Sequence, residues 1–302
     1  MISFFYKVLT EVKLRLPPVK DWKYQVQTNP PTFGWAKKID EKQLNEIVLR
    51  RKQKCIELNQ KYSAKDCVKG KVSIVVLSCK RWWTLERLMK TATPFFKNIE
   101  NYHSLEKILV DNGSGEELIN NVRSYDLFDK IIEHKENLGM VGALKDIFNK
   151  VDSEYILFFE DDFVLDFDKP FIQSCIDIFN EYPEIGIIRL KNQNNWWKPF
   201  RIISPLRKTR SGTEFWTWIP SNDGEYNVWA AGSVMFRRSS FYSVGELEDT
   251  PHVLRTDKKM NHAYLYENVF ARKYNKYWLA AKIKGVTPFI QPNDNQQSPG
   301  WE

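Results

Sequence analysis

The residues with the clearest chemical potential are three consecutive acids, Glu160, Asp161 and Asp162. They follow residues 155–159, an apolar run of strand-forming residues that is typical of a strand buried on both faces of a parallel sheet. Adjacent carboxylates beside a buried strand repel one another and are costly to desolvate, so we expect a positive partner. Hard oxygen ligands suit Mg²⁺ or Mn²⁺, which keep open positions for diphosphate oxygens. A solvated acidic turn is the alternative, and the buried strand favours the metal site.

The composition indicates a globular protein that prefers anionic partners. The 302 residues are 42% hydrophobic, enough for one large domain with extensions. The formal net charge of +7 favours a nucleotide diphosphate, an acidic membrane surface or nucleic acid, without choosing among them. Cysteines occur at Cys55, Cys67, Cys79 and Cys175. Their spacing matches no zinc motif, which favours free thiols in a reducing, cytoplasmic compartment.

The first 22 residues contain no apolar run long enough for a signal-peptide core or a membrane span. Apolar residues recur there at helical spacing, at Phe5, Val8, Leu9, Val12 and Leu16. This pattern fits an interfacial helix on an anionic membrane, and it fits equally a helix docked on its own domain. Peripheral membrane contact through residues 1–22 therefore stays open beside the docked alternative.

Alternating strand and helix patterns predict a parallel, doubly wound α/β sheet with right-handed crossovers. Strands are predicted at residues 72–77, 107–110, 130–133, 155–159, 185–190 and 228–237. A helix is expected from about residue 40, where Asp40 and Gln43 form a capping-box pair. We expect an N-terminal extension, partly helical, over residues 1–70, a main domain over 71–285 and a polar tail over 286–302. Neither GxGxxG nor GxxxxGK[ST] is present, so bound phosphates would need a metal.

Four stretches, in this order, resemble a GT-A fold glycosyltransferase of the family 2 type over roughly residues 71–280. They are SIVVLSCKRWWTLERLMKT, LVDNGSGEE, EDD and VWAAGSVMFRRSSFYSVGELED. The resemblance implies a nucleotide-binding half over residues 71–165 and an acceptor-binding half over 166–285. It also implies metal-dependent transfer of a sugar, hexosyl or N-acetylhexosaminyl, from a nucleotide diphosphate to a hydroxyl. UDP is the expected nucleotide, and a glycan, a lipid-linked molecule or a protein is the acceptor.

The resemblance also implies roles for the nucleotide-side residues. The end of the first strand, which includes Ser78, is expected to meet the uridine, and Asp111 the base or the ribose. Glu160 is expected nearer the ribose, Asp161 is expected to help hold the site, and Asp162 is expected to bind Mn²⁺ or Mg²⁺ directly.

Further candidates lie in the second half of the chain. Small residues around Gly232 would let a ligand approach the backbone closely. Related folds use a histidine as a second metal ligand, and His252 and His262 are the candidates, although each fits an ordinary surface histidine as well.

The chain departs from the pattern at Glu267 and Asn268, where inverting relatives carry Glu-Asp. A neutral Asn cannot act as a general base, so Glu267 is the expected base of an inverting enzyme. The ENxxxR arrangement of Glu267, Asn268 and Arg272, however, resembles that of retaining polypeptide N-acetylgalactosaminyltransferases. A different class also stays open, a non-catalytic module that recognises glycans or nucleic acid, with which the 11 Trp are compatible. The acidic triplet argues against such a module, and against nucleic acid as a partner, because carboxylates repel phosphate unless a metal intervenes.

Overall fold

A computed structural model describes residues 37–63, 67–99, 104–167, 169–190, 202–220, 232–245, 247 and 265–290. Residues 1–22, His252 and His262 lie outside these ranges. Within the ranges, no helix is both long enough and apolar enough to cross a bilayer.

The described residues form seven helices and thirteen strands. The helices are α1 Glu41–Ser63, α2 Trp82–Asn98, α3 Glu116–Ser124, α4 Gly139–Lys150, α5 Ile172–Glu181, α6 Arg238–Tyr242 and α7 Leu265–Tyr274. The strands are β1 Lys37–Lys38, β2 Val68–Ser78, β3 Leu105–Asp111, β4 Lys130–Glu133, β5 Ser153–Glu160, β6 Val164–Leu165, β7 Ile185–Arg189, β8 Ile202–Ile203, β9 Arg207–Lys208, β10 Glu214–Ile219, β11 Val234–Arg237, β12 Leu279–Ile283 and β13 Phe289–Ile290.

Eleven of these strands form one sheet in the order β1-β8-β10-β12-β7-β11-β5-β2-β3-β4, with β9 beside β10. Strands β5, β2, β3 and β4 are parallel neighbours, and β7 is parallel to β12. Strand β11 runs antiparallel between β5 and β7. The predicted mostly parallel α/β sheet is confirmed. The observed strands reach one to four residues beyond several predicted ends, because apolar periodicity marks the buried centre of a strand better than its ends.

The core lies on both faces of the sheet. Along β2, Ile74 and Val76 pack with α2, α3 and α5, whereas Val75 and Leu77 pack with α4, α6 and α7. All four side chains are at most 5% exposed. A strand covered on both faces needs apolar residues at every position, which explains the continuous run in the sequence.

The N-terminal extension is joined closely to the sheet. The predicted capping box is present, because Asp40 Oδ1 accepts the Gln43 N–H at 2.8 Å and Gln43 Oε1 accepts the Asp40 N–H at 3.2 Å. Further along α1, Arg51 donates to the carbonyl oxygen of Asn275 at 2.7 Å. Strand β1 pairs in parallel with β8. The extension therefore supplies a strand of the same sheet as well as a helix.

The fold continues past the expected start of the polar tail at residue 286. Strand β13 pairs antiparallel with β6, and Phe289 is fully buried with its ring 4.6 Å from that of Phe159. The described fold therefore includes Phe289 and Ile290, which the sequence analysis assigned to the polar tail. Two apolar residues are too few for a periodicity, so only the pairing with β6 reveals the strand.

Candidate active site

The candidate site lies where three parallel strands end. In the register of the sheet, Ser78 on β2 lies beside Asp111 on β3, and Leu77 lies beside Glu160 on β5. Ligands of open α/β sheets bind outside this carboxyl edge. The fold therefore brings together the nucleotide-side residues that the sequence singled out.

Asp161 is the inward-facing member of the acidic triplet and is fully buried. Its Oδ2 accepts a hydrogen bond of 2.8 Å from Ser78 Oγ, and its Oδ1 forms an ion pair with Arg81. Burial raises the pKa of Asp161 to about 6, although Arg81 and Ser78 pull the pKa down. Both carboxylate oxygens are thus bound within the protein, and Asp161 fixes the end of β5 to the turn after β2.

Arg81 is a site residue that the sequence analysis missed. Its side chain is 15% exposed and neutralises a carboxylate that would otherwise be costly to bury. The sequence contained an indication of this role, since Arg81 lies in the polar turn after the first predicted strand of the main domain. The sequence did not indicate which of the three acids it would meet.

The other two acids, Glu160 and Asp162, are partly exposed on either side of Asp161. A Cβ atom built on Gly232 would lie 3.9 Å from Glu160 Oε1 and 3.6 Å from the Phe163 ring. Gly232, which precedes β11, therefore lies directly beside the acidic triplet. The next residue, Ser233, is buried with a positive φ of 46°, a conformation that is uncommon for residues with a side chain.

Asp111 offers a buried acceptor at the same edge. It is 1% exposed, and its Oδ2 accepts the backbone N–H of Ser114 at 2.9 Å. Its Oδ1 is also buried and accepts no hydrogen bond from the described residues. Buried carboxylate oxygens are rarely left in this state, so the geometry suits a ligand that donates an N–H or O–H.

The turns after β2 and β3 hold each other in place. The Lys80 N–H donates to Ser114 Oγ at 2.7 Å, and the Asn112 N–H donates to the carbonyl oxygen of Ser78 at 2.8 Å. Gly113 has φ +81°, and a Cβ atom there would lie 2.5 Å from the carbonyl carbon of Glu136. Only glycine fits this position, so the loop that follows Asp111 is packed against the loop before α4.

The residues present fit a hard divalent cation. Within the described ranges, no three His, Cys, Asp or Glu side chains are arranged to hold a metal. Mg²⁺, however, is commonly held by one or two carboxylates together with substrate phosphates. Glu160 and Asp162 supply carboxylates of that kind.

Glu267 lies in α7, and the structure describes the course of this helix but not the side chain of Glu267. The helix is anchored through its second half, where the Phe270 ring lies 4.7 Å from that of Phe241. The Tyr274 hydroxyl donates to Ser240 Oγ at 2.9 Å.

Comparison with known proteins gives a family and a fold. Residues 73–241, more than half of the chain, match the family described as Glycosyl transferase family 2. The crystal structure of S. aureus TarS 1-349 in complex with UDP-GlcNAc is similar with a TM-score of 0.50 and 11% identity, over 75% of this chain and 60% of that chain.

A mannosyltransferase from Pyrobaculum calidifontis, PcManGT in complex with GDP-Man and Mn²⁺, has a TM-score of 0.45 and 14% identity. That match covers 83% of this chain and 70% of the mannosyltransferase. The chain spans about 60% of the length of the TarS 1-349 structures. None of the curated proteins matches the chain significantly in sequence.

Proposed function

Because the chain belongs to glycosyl transferase family 2, we propose that it transfers a sugar from a nucleotide diphosphate to a hydroxyl acceptor with the help of Mn²⁺ or Mg²⁺. The observation that carries this proposal is the carboxyl edge of the sheet. There a buried carboxylate oxygen of Asp111 and two partly exposed acids, Glu160 and Asp162, lie on strands and turns that are fixed to one another.

Asp111 is proposed to bind the nucleotide base or ribose. Its Oδ1 can accept the imide N–H of uracil, and the bond of its Oδ2 to the Ser114 N–H keeps the carboxylate oriented. A hydrogen bond to an ionised acceptor is among the stronger kinds. The UDP-GlcNAc complex of TarS supports UDP as the nucleotide of the donor, and the proposed donor sugar is a hexose or an N-acetylhexosamine.

Glu160 and Asp162 are proposed to hold the cation, with Asp162 the direct ligand and Glu160 directed toward the ribose. A bound cation would neutralise negative charge on the leaving diphosphate. Asp161 keeps its neighbours in place through its bonds to Ser78 and Arg81. The position of Gly232 beside Glu160 supports the proposal that a donor approaches the backbone there.

Glu267 is proposed as the general base that removes the acceptor proton in an inverting reaction. Its place in α7, a helix anchored to the acceptor half through Tyr274, supports this role. Retention of configuration, without such a base, is the alternative.

The test is to measure UDP binding and the turnover of UDP-glucose, UDP-galactose and their N-acetyl forms, with Mn²⁺ and with EDTA. We expect binding and turnover that depend on the metal, and we expect Asp162→Asn to lose both while the fold is kept. Asp152→Asn is the matched control, because Asp152 precedes the opposite end of β5 and pairs with Lys71 at 2.6 Å. Full activity in EDTA would exclude the metal role. Tight glycan or RNA binding without turnover of any donor would favour a binding module.

A further inference from the structure

The imidazole of His134 lies between two oxygen atoms just after β4. Its Nδ1 is 3.1 Å from Oδ1 of Asn112, and its Nε2 is 2.8 Å from Oδ2 of Asp146 on α4. The His134 side chain is only 5% exposed, so solvent has little access to either nitrogen. The protons on the ring must therefore satisfy these two protein contacts.

The orientation of the Asn112 amide follows from its other partners. Its Nδ2 donates to Oδ1 of Asn137 at 2.9 Å and to the carbonyl oxygen of Gly139 at 3.4 Å. Its Oδ1 accepts the backbone N–H of Leu138 at 3.0 Å. The atom that faces His134 is therefore an acceptor, and Nδ1 of His134 must carry a proton to bind it.

Asp146 requires a proton on the other ring nitrogen. Burial raises the pKa of Asp146, but hydrogen bonds from Lys150 and His134 outweigh burial, so the net shift is downward. The carboxylate is therefore ionised at neutral pH and can only accept. Because both contacts are acceptors, only the doubly protonated, cationic imidazole satisfies both.

Other charged groups also lie close to His134. Lys150 forms an ion pair of 2.8 Å with the same Asp146 oxygen. The backbone carbonyl oxygen of Asp111 accepts the backbone N–H of His134 at 3.0 Å. The preceding residue, Glu133, forms an ion pair with Arg123.

We propose that His134 is a positioning residue of the nucleotide site, which in its doubly protonated form fixes Asn112 and thereby the loop that follows Asp111. The contacts run continuously, since Asn112 directly follows Asp111 and donates its N–H to Ser78. When the ring loses one proton, two acceptor atoms face each other at one of the two contacts and no hydrogen bond forms there. The loop that follows Asp111 is then held less firmly. Affinity for a nucleoside diphosphate then falls. The inference rests on the proposed function, because it concerns the same nucleotide site.

The first experiment is isothermal titration of UDP, with Mn²⁺ present, between about pH 5.5 and 8.5, the range in which histidines change charge. We expect His134→Gln to bind UDP about 10-fold more weakly than wild type at the acidic end, the scale of one hydrogen bond to a charged group. The ratio of the UDP affinities of wild type and His134→Gln should fall toward one at the alkaline end of the range. Protonation of the UDP phosphates affects both proteins equally, so it cancels in the ratio of the two affinities. Glu133→Gln is the control, because it breaks an exposed ion pair one residue away, and it should follow wild type throughout.

The second experiment determines the protonation of the His134 ring in the free protein by ¹⁵N NMR at about pH 6, within the range in which histidines change charge. We expect both nitrogens of His134 to be protonated in wild type and a neutral tautomer in Asp146→Asn, which has nearly the same shape. A neutral ring in wild type would overturn the inference. UDP affinities that are equal in wild type and His134→Gln at every pH would also overturn it. If wild type binds no UDP, the proposed function fails, and the ring state still decides whether the cationic contact exists.

Discussion

The hydroxyl of Ser78 donates a hydrogen bond of 2.8 Å to Oδ2 of Asp161, which joins the end of β2 to the turn after β5. Asp161 is fully buried, and Arg81 and the backbone N–H of Cys79 also bind its carboxylate. The buried hydroxyl of Ser78 therefore helps to hold the residues of the candidate site in place.

Ser78→Ala should lower the free energy of unfolding by about 1–3 kcal/mol, because a buried carboxylate oxygen loses its donor. Urea denaturation at pH 7 measures the change. Ser153→Ala is the matched control, since Ser153 is also fully buried on β5 but its Oγ makes no hydrogen bond with the described residues. Equal losses in the two variants would show that the bond to Asp161 adds no stability.

Asp111→Asn should weaken UDP and the UDP-sugar alike, by about 10-fold or more, because a bond to a charged acceptor is lost equally in the ground and transition states. Titration calorimetry gives the affinity, and steady-state kinetics gives KM and kcat. Asp129→Asn is the control, because Asp129 accepts the backbone N–H of Lys107 at 2.7 Å toward the other end of β3. A fall in kcat with unchanged UDP affinity would contradict a nucleotide contact at Asp111.

Glu267→Gln should reduce turnover by roughly 10²- to 10⁴-fold, the usual scale for a general base, while UDP affinity stays near wild type. Proton NMR of the product gives the anomeric configuration. Retention would mean that no such base is needed. Inversion at full speed by Glu267→Gln would require another carboxylate to take the role.

Lys282 makes stability depend on pH above neutrality. Burial, with a smaller contribution from Arg189, lowers the pKa of the Lys282 ammonium to about 7, below the value of about 10.4 in an unfolded chain. Between these values the unfolded chain binds a proton that the folded chain has released, so unfolding free energy rises with pH across this window.

Lys282→Met should remove that rise. The stability of wild type relative to the variant should increase by at most about 1.4 kcal/mol per pH unit above pH 7, as measured by urea denaturation at several pH values. Lys284→Met is the control, because Lys284 is exposed and pairs with Glu214 at 2.7 Å. Parallel curves for wild type and Lys282→Met would contradict the lowered pKa.

Local patterns in the sequence determined the elements and their class. Apolar runs such as residues 155–159 predicted buried parallel strands, and the spacing of Asp40 and Gln43 predicted the start of α1. The acids at Glu160 to Asp162 indicated which end of the sheet carries a site. These features depend on neighbours within a few positions along the chain, so one sequence is enough to reveal them.

The tertiary structure alone decided which acid faces inward, that Arg81 and Ser78 bind it, and that His134 meets Asn112. It also decided that Phe289 belongs to a strand. These contacts join residues 22 to 124 positions apart, such as His134 with Asn112 and Phe289 with Leu165. No local periodicity encodes such pairs, because strand order and register determine which distant side chains share a buried edge.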